Sequence, residues 1–344
     1  MRLASIAHVV PRSVVRNDEL LDRVMAHDEN RVPKLERPLF RRALREILRH
    51  TGATTRHHRG QGETAFDLGL AAGRTALERA KIAPSEIDLL IYVGVGRAFL
   101  EPATGCLFQS ALRLTNATCF DLLDACASWM RGLDLAKRYL DARTYRRVML
   151  LNCEFNFEEY IRWDFRSLSD LEHMGVGFTV GEASTATILE ASGADEYHAT
   201  FKTDGRGYAL CQIPLPNTPD FVPDADASRH PPLRFFSYGR KLIECAVDQL
   251  DRHFHADSHL RDFAPDLIVG HAVGVPTTET VLRRLELDPR KYLETFPAYG
   301  NTVSASLPLG LSVAQDEGRL RRGDRVLLLM GSAGVTTGFT TFRF

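Results

Sequence analysis

Cys126 is the residue of this 344-residue chain best suited to covalent chemistry. It lies in Asp121-Leu122-Leu123-Asp124-Ala125-Cys126-Ala127-Ser128-Trp129. There an apolar, strand-like run (Thr118 to Leu123) meets a helical pattern through Met130, Leu133, Leu135, Ala136, Tyr139 and Leu140. A thiol at a helix N-terminus feels the positive end of the dipole and nearby unpaired N–H groups, which favour the thiolate. The thiolate is the nucleophile that accepts an acyl group. The competing reading is a small buried hydrophobe. Two further side chains could serve such a nucleophile. His271 ends the apolar run Leu267-Ile268-Val269-Gly270, a position suited to facing a ligand or to sitting satisfied in the core. Asn301 lies in a loop before a helical stretch and can donate through its amide.

The segments that must position these groups recur within the chain. Asp88-Leu89-Leu90-Ile91-Tyr92-Val93-Gly94-Val95-Gly96 is echoed by Asp266-Leu267-Ile268-Val269-Gly270-His271-Ala272-Val273-Gly274, at an offset of 178 residues (88 to 266). Arg147-Val148-Met149-Leu150-Leu151-Asn152 is echoed by Arg325-Val326-Leu327-Leu328-Leu329-Met330 at the same offset (147 to 325). Under that shift Ala125-Cys126-Ala127-Ser128 falls on Val303-Ser304-Ala305-Ser306. The chain therefore reads as two copies of one unit, 1–195 carrying Cys126 and 196–344 carrying His271 and Asn301, with the seam between Ala191 and Ala199. Each copy alternates helical periodicity with near-continuous apolar runs, the pattern of an α/β fold with largely parallel, doubly covered sheets. Pro214 to Pro232 reads as a long irregular insertion.

Composition narrows the function. Lys and Arg total 43 against 44 Asp and Glu, a net charge of -1, so no broad basic face for nucleic acid is expected. The dense arginines from Arg37 to Arg59 suit an anionic carrier or a phosphate-bearing ligand, or simply a solvated helix face. Six cysteines with no CxxC pair read as reduced and intracellular, and no zinc-ligand spacing occurs. No stretch approaches the roughly 20 apolar residues of a membrane span. The first residues are too interrupted for a secretion signal, and a cytoplasmic protein is expected. A dehydrogenase reading fails, because Gly94-x-Gly96 is followed by Phe99 where the dinucleotide fingerprint needs its third glycine.

Together these features resemble the thiolase superfamily, and more closely its β-ketoacyl-acyl-carrier-protein synthase III branch. Thr51-Gly52-Ala53-Thr54-Thr55-Arg56-His57 is similar to that branch's "TGIxxR" segment, and Asp124 to Ser128 to its nucleophile motif. Val269-Gly270-His271-Ala272 stands where its catalytic histidine falls. Tyr299-Gly300-Asn301-Thr302-Val303-Ser304-Ala305-Ser306-Leu307-Pro308 resembles "YGNTSAASxP", and Gly331-Ser332-Ala333-Gly334 the glycine-rich turn near the C-terminus. The resemblance implies a thiolase-like fold of five layers (α-β-α-β-α) and a homodimer. It implies acyl-CoA or acyl-carrier-protein thioester substrates and no metal or other cofactor. It further implies that Cys126 is acylated, that His271 and Asn301 hold the thioester oxygen, and that the Cys126 N–H and the Ser332–Gly334 turn hold the acyl-enzyme oxygen.

Glu101, in Gly96-Arg97-Ala98-Phe99-Leu100-Glu101-Pro102, departs from the ordinary synthase III, which has an apolar residue there. A glutamate at this place resembles the olefin-pathway and pyrone-forming condensing enzymes, in which it enters the partner subunit's site as a base. A malonyl unit makes its carbanion by losing CO₂, whereas a plain acyl chain needs a base. The alternative is a solvated loop carboxylate. The family's Trp and Arg that grip the coenzyme A nucleotide are replaced by Glu46 and His50; Arg45 and Arg49 are the candidate phosphate contacts, or exposed helix charges. Glu154 to His173, rich in aromatics, either caps the acyl pocket or packs as an ordinary excursion, and Phe178 beyond it is expected to contact substrate.

The leading expectation is a condensing enzyme of lipid or secondary (polyketide-type) metabolism that joins an acyl group on Cys126 to a second acyl or β-ketoacyl thioester. Transfer of the acyl group to an oxygen or nitrogen nucleophile, a decarboxylative starter synthase, and an inactive partner subunit are the competing readings. The complete Cys126, His271 and Asn301 set favours the first.

Overall fold

The computed structural model describes residues 1–192, 196–226 and 228–344. In chain order the strands are β1 (Arg2–Val9), β2 (Ser13–Arg16), β3 (Thr55–His58), β4 (Leu89–Val93), β5 (Thr118–Leu122), β6 (Arg147–Glu154), β7 (Ala183–Glu190), β8 (Tyr197–Thr203), β9 (Cys211–Gln212), β10 (Phe236–Ser237), β11 (Leu267–Gly270), β12 (Arg325–Ser332) and β13 (Thr336–Arg343). One sheet runs β1-β7-β6-β4-β5 and a second runs β11-β12-β13-β8, with the small pairs β2-β3 and β9-β10 outside them. β4 reads Leu-Leu-Ile-Tyr-Val and is buried at every position, as a central parallel strand covered on both faces must be.

The strand pairing carries the internal repeat. Leu89 pairs in parallel with Val148, and Leu267 pairs in parallel with Val326, each residue displaced by the same 178 positions. In each sheet the next neighbour is antiparallel, β7 on β6 and β13 on β12. The anchoring side chains repeat too. Asp88 Oδ2 accepts the Arg147 N–H at 3.0 Å, and Asp266 Oδ2 accepts the Arg325 N–H at 2.9 Å. β8 already belongs to the second sheet, while residue 195, on which the proposed boundary falls, lies outside the described residues.

Between the sheets lie the helices Ser128–Asp141 and Ser306–Asp316. Their Trp129, Met130, Leu133, Leu307, Leu309 and Leu311 join strand residues of both sheets in the largest core cluster. The second helix is buried continuously from Ser306 to Ala314, which is what a helix sandwiched on all sides requires. The helix Ala65–Ala80, capped by Thr64 accepting the Asp67 N–H at 3.0 Å, covers the outer face of the first sheet. The helix Gly239–His255 covers the outer face of the second. The result is the thiolase-like α-β-α-β-α stack. Among the described residues no helix is long and apolar enough to cross a membrane.

Candidate active site

β5 ends at Leu122, and the helix behind it starts at Ser128, so Cys126 sits in the elbow between them. The turn is held in an uncommon conformation. Ala125 has φ +45°, a left-handed geometry disfavoured for a residue with a Cβ. Ser128 secures it from both sides: its Oγ accepts the Asp124 N–H at 2.8 Å and donates to the Ala125 carbonyl at 2.7 Å. Such strain persists only where its surroundings over-determine it, and it clusters at functional sites.

The same elbow occurs a second time. Val303, the counterpart of Ala125, has φ +52°, which is harder still for a β-branched residue. Ser306, the counterpart of Ser128, donates to the Val303 carbonyl at 2.9 Å. Ser304 takes the place of Cys126 but is buried and committed, accepting Asn152 Nδ2 at 2.6 Å and donating to Glu154 Oε1.

This second elbow orients both candidate partners of the nucleophile. With the Ser306 hydroxyl donating to the Val303 carbonyl, its Oγ accepts from His271 Nδ1 at 3.0 Å and from Thr302 Oγ1 at 3.2 Å. That assigns the Nδ1–H tautomer and leaves a lone pair on Nε2. Burial pushes His271 down to about 4, so the ring is neutral at physiological pH. Asn301 Oδ1 accepts the Val303 N–H at 2.9 Å, which turns its NH₂ away as a free donor. One residue, Val303, thus ties Ser306, and through it His271, to Asn301.

β12 links this assembly to the nucleophile. The His271 N–H donates to the Leu329 carbonyl at 3.0 Å, and three residues on, the Ser332 hydroxyl stands beside the Cys126 sulfur and favours its thiolate. Burial nevertheless dominates, and with Cys211 and Glu154 nearby it raises the Cys126 thiol well above its ordinary value. The expectation of a dipole-stabilised thiolate is therefore corrected: at rest Cys126 is a thiol, and desolvation outweighs the helix end. Beside His271 opens a small apolar cavity lined by Ile243, Val247, Val281, Leu282 and Leu329 among others.

Models of 3-oxoacyl-[acyl-carrier-protein] synthase III match residues 120–205, and models of its C-terminal part match residues 256–344. A β-ketoacyl-[acyl-carrier-protein] synthase III of Methylococcus capsulatus is 29% identical over 346 residues, covering 100% of this chain and 98% of that one. The corresponding protein of a Roseiflexus species is 30% identical, covering 87% of this chain and 89% of its own. The chain belongs to the synthase III family. Among solved structures, Xanthomonas campestris OleA with bound lauric acid and lauroyl-CoA superposes with a TM-score of 0.83 at 22% identity, covering 99% of this chain and 98% of that one. Aquifex aeolicus 3-oxoacyl-[acyl-carrier-protein] synthase III gives 0.80 at 22%, covering 100% and 99%. At that identity these two establish the fold.

This synthase III is a condensing enzyme, and the remaining expected site residues fall in varied places. Gly334 stands in the turn between β12 and β13 with φ +130°, and its neighbour Val335 exchanges backbone hydrogen bonds with Asp204 at 2.8 Å. Glu101 is exposed and makes no hydrogen bond or ion pair within the chain among the described residues. Arg45 and Arg49, on the helix Arg37–Thr51, face Asp18 at 3.5 Å and Glu46 at 2.8 Å on the surface. Phe178 is wholly buried and packs with Phe157, Trp163 and Phe165 against Phe40, Leu44 and Leu48. The aromatic stretch is thus a packed excursion, and Phe178 is a core ring among those aromatics. Sequence reasoning missed Ser128 and Ser306 as the clamps of the two elbows. Their recurrence at the 178-residue offset is the signal that could have found them. Among the described residues no cluster of His, Cys, Asp and Glu could hold a metal ion.

Proposed function

We propose that this synthase III joins two acyl thioesters without decarboxylation. Cys126 transfers its proton to His271 Nε2, and the sulfur attacks the carbonyl carbon of an acyl-CoA or acyl-carrier-protein thioester. The carrier thiolate leaves and takes the proton, giving acyl-Cys126. A second thioester then enters with its oxygen on the Asn301 NH₂. Glu101 of the partner subunit removes its α-proton. The enolate carbon attacks the acyl carbonyl, the bond to Cys126 breaks, and as a β-ketoacyl thioester departs the thiolate takes up one proton while Glu101 gives up the α-proton it removed, so thiol and carboxylate are both restored. Because its resting tautomer carries no proton on Nε2, His271 donates to a substrate oxygen only while it holds the proton from Cys126.

The observation that supports this reading is the second elbow, whose hydrogen bonds hold His271 Nδ1 and Asn301 Oδ1 and so suit His271 Nε2 as a base and the Asn301 NH₂ as a donor. The apolar cavity beside His271 suits an aliphatic chain. For Glu101, the support is its setting. Phe99 and Leu100 beside it are 42% and 76% exposed, Leu123 is 57% exposed, and among the described residues β5 pairs with β4 alone, leaving an open sheet edge. An apolar, open edge of this kind is the surface on which a second copy would close a homodimer.

Intact-mass measurement of acyl loading, paired with product analysis, tests the reading. Cys126→Ala should take up no acyl group. Glu101→Gln should load normally but lose condensation of plain acyl thioesters by roughly 10²- to 10⁴-fold, the usual loss when a positioned base is removed. Condensation at the wild-type rate in Glu101→Gln would refute the base assignment. Turnover with malonyl thioesters alone would assign the decarboxylative reaction instead.

A further inference from the structure

Glu154, the last residue of β6, is fully buried and makes no ion pair among the described residues. Isolated buried carboxylates are costly, so this one must be held by hydrogen bonds. It is held by four. Oε1 accepts the Val95 N–H at 3.0 Å and the Ser304 hydroxyl. Oε2 accepts the Gly96 N–H at 2.9 Å and Asn156 Nδ2 at 2.6 Å. Its two oxygens therefore join two structures far apart in the chain, beside Asn152, whose Nδ2 donates to both the Val93 carbonyl at 2.7 Å and Ser304 Oγ at 2.6 Å. One is the stem of the loop whose tip is Glu101. The other is the second elbow, on which Asn301 and His271 depend.

The stem is packed onto this carboxylate. Gly94 has φ +128°, and a Cβ there would lie 2.7 Å from Glu154 Oε1, 2.9 Å from Asn152 Nδ2 and 3.0 Å from Ser304 Oγ. A Cβ on Gly96 would lie 2.2 Å from the Cys153 carbonyl oxygen. Only glycines let the backbone come this close, so the sequence Gly94-Val95-Gly96 and the carboxylate are parts of one joint. The side-chain donors Ser304 and Asn156 can reorient, but the two backbone N–H groups cannot. They address opposite oxygens, so the joint requires an acceptor at both, which a carboxylate supplies and an amide does not.

Resting on the reading of Glu101 as the base, we propose that Glu154 is a positioning residue for condensation, fixing the stem of the Glu101 loop against the elbow that carries Asn301. It touches no substrate. Its charge also reaches Cys126, where Glu154 and Cys211 oppose the thiolate and Ser332 favours it.

Glu154→Gln separates this role from simple scaffolding. The variant keeps the volume but leaves one backbone N–H of the stem without an acceptor. Condensation should fall roughly ten- to hundredfold, the rate equivalent of one buried donor left unpaired. Acyl loading on Cys126, followed by intact mass, should persist, and alkylation of Cys126 by iodoacetamide at fixed pH should become faster as the opposing charge is removed. Unchanged condensation and alkylation would overturn the proposal. Parallel loss of loading and condensation with a lowered thermal midpoint would also overturn it, since that is the signature of a structural part only. Glu101→Gln measured alongside keeps the two readings apart: if it condenses normally the base assignment falls, while alkylation of Glu154→Gln still reports on the joint.

Discussion

Ser306→Ala removes the one contact that selects the His271 tautomer. In the native protein the Ser306 hydroxyl donates to the Val303 carbonyl and accepts from His271 Nδ1 at 3.0 Å. Without it, a buried Nδ1–H would lack an acceptor, at a cost of about 1–3 kcal/mol. The ring can escape that cost by moving its proton to Nε2, but it then cannot take the Cys126 proton. The working tautomer is therefore disfavoured by roughly ten- to hundredfold, at about 1.4 kcal/mol per factor of ten. Cys126 is a thiol with its ionisation pushed up by burial, so it cannot compensate by ionising alone. The acyl-loading rate should fall by the same factor, measured by rapid quenching and intact mass. Ser306→Thr, which retains the hydroxyl, should restore most of it. A Ser306→Ala enzyme that loads at the wild-type rate with an unchanged pH profile would refute the tautomer argument and, with it, the role of His271 Nε2 as the proton acceptor.

Two further outcomes follow from the buried polar groups. Burial pushes His271 down to about 4 and His58 down to about 3, below their value near 6.5 in an unfolded chain. Between those values the unfolded chain binds protons that the folded chain does not, so stability is full above about pH 6.5 and is lost as pH falls toward 4, by about 3 kcal/mol from His271 alone. Urea titrations at stepped pH should show the midpoint falling across that window; a flat profile would contradict the buried, neutral histidines. Glu182, fully buried, accepts the Arg59 N–H at 2.6 Å and pairs with its guanidinium at 3.2 Å. Glu182→Ala should lower stability by about 1–3 kcal/mol, because it leaves the Arg59 backbone donor without its acceptor while the guanidinium keeps Glu159 at 2.7 Å. An unchanged urea midpoint would show that water satisfies Arg59.

What the sequence alone determined was the pattern. Apolar runs at β4, β6, β11 and β12 can only be strands covered on both faces, and their repetition at 178 residues required two like units. The order of the nucleophile, histidine and asparagine segments carried the family, because those residue types in that order perform one chemistry. Tertiary structure decided the electrostatics. The helix start after Cys126 predicted a thiolate, but only packing between two sheets reveals that desolvation wins. The His271 tautomer depends on a serine 35 residues away, visible as a partner only once the second elbow folds. Phe178, expected to contact substrate, packs as a core ring, and an aromatic side chain by itself suits a core and a pocket wall equally. Glu154 carried no signal at all, since a carboxylate ending a strand is ordinary until its four donors, drawn from loops far apart in sequence, converge on it.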